Sequence, residues 1–248
     1  PARGEFEALV VDLRRVEDAE LPAVDAIVHL AQANVPFPDG ARDLFAVNTA
    51  STVALLEHAR ASGASHFVYA SSASVYGFGE RPWTEDDVPA STDFYSATKL
   101  AAERFVGAHA QFFGTTIMRL VAPFGPGQRN RMIPRLIDSV REGRAITLNE
   151  GGRPRMNPIF VDDVVALVAA AIETDGHHLV NVSGPDAVSI RELGETIGDV
   201  LGREPVFESG TGTAPGDIVC ANDRLLETFD LGPLTPLREG IARAAEVA

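Results

Sequence analysis

The chain has 248 residues, 45% of them apolar, and a formal net charge of −14. That length suits one large domain or two closely joined ones with a sizeable core. The acidic balance disfavours broad polyanion binding, because nucleic acid needs a basic face to release its counterions.

No apolar run approaches the ~20 residues needed to cross a bilayer, and no membrane partner is expected. The opening Pro-Ala-Arg-Gly-Glu-Phe-Glu has no apolar segment of the kind a secretory signal carries. The one cysteine, Cys220, rules out an internal disulfide framework and fits a reducing cytoplasm. It reads as a small, partly buried residue rather than a nucleophile.

In chain order, Ala8-Leu9-Val10-Val11 reads as a short strand ending in Asp12-Leu13. Residues 24–31 read as a second strand, stopping at Gln32-Ala33-Asn34 and a Pro-rich loop. Residues 48–61 carry Val53, Leu55, Leu56 and Ala59 at helical spacing, with Gly63 just past the end. An apolar run at 66–71, a long helical pattern at 95–113 and a strand at 116–121 follow. The last is broken by Pro123-Phe124-Gly125-Pro126-Gly127-Gln128. Near-continuous apolar strands alternating with helices predict an α/β fold, its parallel sheet covered on both faces.

Beyond Gln128 the pattern changes. An amphipathic helix is expected over Met132–Glu142, then a strand at Ile146–Leu148 and a turn at 150–153. A helix over 164–172, a strand at 179–182 and a helix over 190–201 come next. Ser189 opens the last of these with Glu192 three residues on, a capping box. Two short helices are expected near 222–229 and 236–246. Seven arginines fall between Arg129 and Arg155. In an acidic chain such a cluster suits a small anionic substrate, although Arg135 and Arg141 read better as a solvated helix face.

The stretch from Phe67 to Lys99 carries the chemistry. Phe67-Val68-Tyr69-Ala70 is apolar, then turns abruptly to hydroxyls in Ser71-Ser72-Ala73-Ser74, ahead of Val75-Tyr76-Gly77. A buried strand has this form when its C-terminal end opens onto a site. Tyr95 and Lys99 are four residues apart and share a helix face. A free tyrosine titrates near pH ~10 and is a poor base at neutral pH. A lysine ammonium one turn away favours the phenolate and lowers that pKa. Ser72 would then hold a substrate hydroxyl while Tyr95 moves its proton. His29 has no second His or Cys at ligand spacing, so no metal site is expected.

These motifs resemble the extended short-chain dehydrogenases/reductases, the NAD-dependent epimerase/dehydratase family, from about Val10 to Ile241. The resemblance implies a Rossmann-type doubly wound parallel sheet with a smaller C-terminal substrate lobe. It implies a cofactor domain over residues 1–126, with 156–184 returning to it, and a mainly substrate-binding lobe over 127–248. Ser72, Tyr95 and Lys99 match the family's catalytic triad. NAD, with NADP left open, would be held by Asp12, Leu13, Leu30, Ala31, Gln32, Asn48, Ala70, Tyr95, Lys99 and Pro123. Ser72, Ser74, Gln128, Arg129 and Arg155 would contact substrate. Local alternatives exist: Asp12 as a helix cap in a turn, and Asn48 as the cap of the helix it opens. The family often pairs helices 48–61 and 95–113 across a twofold axis, so a homodimer is expected.

The family's glycine-rich turn, which receives the cofactor pyrophosphate at a helix N-terminus, does not precede Asp12. Gly210-Thr211-Gly212-Thr213 follows no buried strand and reads as a loop. In a sheet ordered 3-2-1-4-5-6 the chain would begin at strand 3, leaving a two-strand hole. A βαβ segment ahead of Pro1 is therefore expected to supply the phosphate site. Without it, NAD(H) affinity is expected to be weaker than millimolar, below ~4 kcal/mol. Direct pairing of strands 3 and 4, with loss of cofactor binding, is the alternative.

Ala73 and Ser74 stand where the family's 4,6-dehydratases and decarboxylases carry carboxylates, which favours an epimerase or a simple reductase. Arg155, ahead of Phe160-Val161-Asp162-Asp163, resembles the arginine that grips a substrate diphosphate. Ala122, however, replaces the family's usual Asn, and no Arg precedes Pro215-Gly216-Asp217. The expected function is an NAD(P)-dependent epimerase of a sugar nucleotide working through a transient ketone. The alternatives are a dehydrogenase/reductase of a non-nucleotide alcohol or ketone, or a catalytically silent binding member.

Overall fold

The computed structural model describes residues 7–90, 93–213 and 215–246. Its first half contains β1 (Ala26–His29), α1 (Ala41–Phe45), α2 (Ser51–Ser62), β2 (His66–Ser72), α3 (Phe94–His109) and β3 (Gly114–Leu120). Next come α4 (Met132–Glu142), β4 (Ile146–Leu148), β5 (Arg155–Met156), α5 (Val161–Ile172) and β6 (His177–Val182). The remainder contains β7 (Val188–Ser189), α6 (Ile190–Leu201), β8 (Phe207–Ser209), α7 (Asp223–Thr228) and α8 (Leu237–Ala245).

The centre is a parallel sheet in the order β1-β2-β3-β6. Its register sets Val28 beside Val68, Val68 beside Thr116, and Thr116 beside His178. Side chains alternate across β2. Phe67 and Tyr69 face Leu56, Ala102 and Val106 of α2 and α3. Val68 and Ala70 face Val164 and Leu167 of α5 and Leu225 of α7. Both faces are thus covered by helices, which is why β2 is apolar almost throughout.

The strand expected at Ala8 to Val11 does not form. Residues 7–12 are irregular, and Val10 is 99% exposed. Apolar side chains suit a strand only where neighbouring strands pack them, and among the described residues none lies beside this segment. With no strand there, neither the expected hole nor its alternative, direct pairing of that strand with residues 24–31, is formed; among the described residues β1 is an edge strand paired with β2 alone. Asp12 instead caps a 3-10 turn over Leu13–Asp18, its carboxylate accepting from the Arg14 N–H at 3.0 Å. That is the local alternative.

The helix expected over 48–61 begins at Ala41 and passes through a π turn, Ala46–Ala50, before reaching Ser62. Asn48 is consequently not a cap. It lies buried inside the π turn, accepting from the Ala33 N–H at 2.7 Å and donating to the Ala33 carbonyl and the Thr98 hydroxyl. α3 starts one residue earlier than expected, where Asp93 accepts from the Ser96 N–H at 2.9 Å, and it ends four residues earlier.

A second core joins α4, α6 and α8 through Ile133, Ile137, Leu193, Ile197 and Ile241. β4 pairs with β8 beside it. Phe124 and Phe160 belong to this core and border the sheet. Gly240 lets α8 rest on them, since a Cβ there would come within 2.9 Å of either ring. Among the described residues, no helix is long and apolar enough to cross a membrane.

Candidate active site

A cleft of about 520 Å³ opens where β1, β2 and β3 end. Leu30 and Gln32 line it beyond β1; Ala70, Ser71, Ser72 and Ser74 line it at the end of β2. Tyr95 enters from the first turn of α3, and Ala122, Pro123, Gln128, Arg131 and Met132 close the side toward α4. The C-terminal edge of a parallel sheet is where such folds place ligands.

The sharp end of β2 is built by hydroxyls. Ser72 stays extended and caps the 3-10 turn Ala73–Tyr76, its Oγ accepting from the Ser74 N–H at 3.2 Å. Gly77 leaves that turn at φ +79°, in the left-handed region that favours glycine. The Ser72 and Ser74 hydroxyls lie 2.9 Å apart, and Ser96 donates to Ser74 at 2.8 Å. One face of the turn thus carries hydroxyls toward the cleft, while Val75 and Tyr76 are buried behind it.

The Tyr95 phenol donates to the Gln32 side-chain carbonyl at 2.5 Å. Burial pushes its pKa up, opposed by the Ser72 hydrogen bond and by the Arg131 charge. The lowering expected from Lys99 is not what the structure gives. The Lys99 ammonium turns the other way, donating to the Ala70 carbonyl and lying 4.4 Å from the centre of the Tyr69 ring. Lys99 is 1% exposed, and burial brings its pKa down to about 8. His29 lies nearby, its pKa pulled down to about 4 by burial and by the Lys99 charge. Its Nε2 is buried with no hydrogen-bond partner.

Of the residues expected from sequence, Ser72, Ser74, Tyr95, Leu30, Gln32, Ala70, Pro123 and Gln128 meet in the cleft, with Lys99 directly behind Ala70. Asp12 and Leu13 belong to the 3-10 turn and do not line it. Ala31, Asn48, Arg129 and Arg155 are also outside the lining. Asn48 acts on the cleft only by holding Ala33, and Arg155 bonds to Asp217 and to the Ala187 carbonyl. The arginine that does line the cleft is Arg131, a member of the expected cluster between Arg129 and Arg155 that was not singled out for substrate contact. Asn130, at φ +58°, turns the chain between Arg129 and Arg131.

The residues present fit the nicotinamide half of NAD. Leu30, Ala70, Leu120 and Pro123 give an apolar floor for a planar ring, a cation stands behind that floor, and the Tyr95 hydroxyl is at its rim. Among the described residues, no group of three or more His, Cys, Asp or Glu side chains could hold a metal ion. Residues 210–213 follow no strand of the central sheet and open no helix.

A hydroxyl-ended central strand, a Tyr and Lys one helical turn apart, and a cleft over the sheet define a nucleotide-cofactor enzyme of the short-chain dehydrogenase/reductase type. The chain belongs to the NAD-dependent epimerase/dehydratase family, whose model matches residues 8–183. It is 27% identical to a probable UDP-glucuronate 4-epimerase of Rhizobium meliloti, over 92% of this chain and 75% of that protein. It is 29% identical to a dTDP-4-dehydro-6-deoxy-D-allose reductase of Streptomyces bikiniensis, over 90% and 74%. Among solved structures, MoeE5 in complex with UDP-glucuronic acid and NAD aligns with a TM-score of 0.85 at 27% identity, covering 99% of this chain and 86% of that one. A UDP-glucuronic acid 4-epimerase from Bacillus cereus shares the fold, with a TM-score of 0.82 at 22% identity over 96% and 78%.

Proposed function

We propose that this chain is an NAD-dependent 4-epimerase of a UDP-sugar, with UDP-glucuronic acid as its preferred substrate. The observation that carries the reading is the convergence of Ser72, Ser74 and Tyr95 on one cleft with Arg131 on its opposite side and no carboxylate at positions 73 and 74. Bound NAD supplies the acceptor, and then the donor, of the hydride at the sugar carbon. Ser72 and Ser74 hold the reacting hydroxyl. Tyr95 takes its proton and later returns it; burial disfavours its phenolate, and Ser72 and Arg131 act against that. With no acid or base beside the neighbouring carbon, the ketone has no elimination route and takes the hydride back on its other face. Arg131 offers a guanidinium to the sugar carboxylate, while Arg129 and Arg155, outside the cleft, are assigned to the projecting diphosphate.

On this reading residues 1–126 with 156–184 hold cofactor, and 127–248 mainly hold substrate. The protein works in the cytoplasm as a homodimer, paired through the exposed Phe105 of α3 and Phe112 just beyond its end. The test is to incubate the enzyme, expressed from its native reading frame, with NAD and UDP-glucuronic acid and follow the sugar anomeric protons by NMR. A mixture approaching UDP-galacturonic acid, without net NADH, is expected. Similarity to the 6-deoxy-allose reductase favours a second reading, net reduction of a 4-keto sugar. Stoichiometric NADH consumption with a 4-keto sugar nucleotide and no epimer would replace the first reading with it. Sedimentation as a concentration-independent monomer would remove the dimer.

A further inference from the structure

Behind the catalytic strand lies an ion pair that the proposed chemistry does not use. Glu103 and Arg119 are 5% and 3% exposed. The Glu103 carboxylate accepts from Arg119 Nε at 3.0 Å and Nη2 at 2.6 Å, a two-point contact. It also accepts from the Ser71 hydroxyl at 2.5 Å. Three elements are thereby joined: α3 through Glu103, β2 through Ser71 and β3 through Arg119. Ser71 lies between Ala70, whose carbonyl receives Lys99, and Ser72, whose hydroxyl faces the cleft. Lys99 and Glu103 are one turn apart on α3 and both buried.

We infer that Glu103, anchored by Arg119 and Ser71, is a positioning residue that keeps Lys99 protonated and in register with the end of β2. Replacing a buried ion pair by apolar side chains is often neutral or stabilising, so stability alone is a weak reason for one here. The charge balance around Lys99 supplies a better one. The groups that act on its ammonium are Glu103, one turn along α3, the Tyr69 ring on β2 and His29 on β1. His29 is neutral at physiological pH, and the Tyr69 phenol is protonated. Glu103 is therefore the one anion among them, and it acts against the burial that drives Lys99 toward the neutral amine. Arg119 is needed because an unpaired buried carboxylate would itself take up a proton. Burial disfavours the Arg119 charge, but Glu103 and Tyr76 together hold it in place.

Lys99 is the sole lysine of the sequence, the other basic side chains all being arginine. A single lysine ammonium can therefore be titrated by NMR in the chain labelled with [ε-13C]lysine, without cofactor or substrate. The proposal rests on the epimerase reading only for its effect on turnover, and this measurement stands whichever sugar is used. In Glu103→Gln the Lys99 midpoint should fall by on the order of one pH unit, as when an opposite charge is withdrawn from one helical turn away in a buried site. Arg119→Met, which leaves the buried Glu103 carboxylate unpaired and so favours its protonation, should lower it as well. A merely structural role would move both variants the other way, upward toward the ordinary lysine value as the site loosens. Trp83, the sole tryptophan, stacks on Tyr76 beneath Arg119 and reports by fluorescence whether each variant is folded. Should Glu103→Gln fail to fold, Glu103→Gln with Arg119→Met leaves no unpaired charge and gives the same test. A folded variant lacking Glu103 with the Lys99 midpoint unmoved, or moved upward, overturns the proposal.

Discussion

Replacing Lys99 by methionine should make the fold more stable at neutral pH while removing activity. Lys99 is 1% exposed, and burial brings its pKa from 10.5 to about 8. That difference corresponds to roughly 3 kcal/mol by which the fold disfavours the ammonium below pH 8. The sign follows from proton counts. Between pH 8 and 10.5 the unfolded chain keeps a lysine proton that the folded chain has released, so the Lys99 contribution to stability rises with pH across that window. It is least favourable below it. Methionine fills similar space, carries no charge, and loses the hydrogen bond to the Ala70 carbonyl, worth about 1 kcal/mol. The variant should therefore gain about 2 kcal/mol at pH 7, an advantage that fades by about pH 10, where the folded chain holds a neutral lysine and the remaining penalty is no larger than the lost hydrogen bond. Cys220, pushed up to about 12 by burial, keeps its proton in the folded chain across that window while the unfolded thiol titrates. It does so in both proteins, so the difference between parent and variant isolates Lys99. Urea midpoints at pH 7, 8.5 and 10 provide the measurement. A parent more stable than the variant at pH 7 would refute the reasoning, showing that Glu103, the Tyr69 face and Ala70 more than offset the burial.

Tyr95→Phe removes one hydroxyl and keeps the ring, so turnover should fall on the order of 10²–10⁴-fold with the thermal midpoint unchanged. Activity within threefold of the parent would exclude Tyr95 as the proton carrier. Arg131→Gln should raise KM for UDP-glucuronic acid roughly ten- to hundredfold and leave UDP-glucose nearly unaffected, the worth of one charge-assisted hydrogen bond. Because Arg131 favours the Tyr95 phenolate, its loss should also move the ascending limb of the kcat–pH profile to higher pH, and a limb moved to lower pH would contradict the geometry. Asn48→Ala leaves the Ala33 N–H without its acceptor and should cost about 2 kcal/mol in urea unfolding, with a loss below 0.5 kcal/mol counting against the bridge.

Where the sequence carried its own partner information, the fold was legible. β2 is apolar on both faces because helices cover both, and the run Phe67 to Ala70 announces that. The capping box at Ser189 and Glu192 forms as expected, the two groups bonding reciprocally at 3.2 and 2.7 Å. Ala8 to Val11 looked equally strand-like, but a strand depends on neighbours that a local reading does not see. Asn48 looked like a cap because Asn commonly is one, and a π turn leaves no mark in composition. The pairing of β4 with β8 joins residues about 60 apart in the chain and has no local signal. At the site, the residue types Ser72, Tyr95 and Lys99 were visible, but their electrostatics were not. Spacing alone suggested that Lys99 would act on Tyr95, whereas the side chain turns to Ala70. Arg131, rather than Arg129, lines the cleft, and the positive φ at Asn130 between them has no mark in composition.

The burial of Lys99 has a practical side. Every basic side chain other than histidine at the described surface is a guanidinium, and the one lysine amine of this sequence is hidden from amine-directed reagents. Acylation of Lys99 is therefore a clock for opening: the reagent can attach there only when α3 lifts from β2 and uncovers the amine. The rate of that addition measures how often the catalytic helix leaves its sheet.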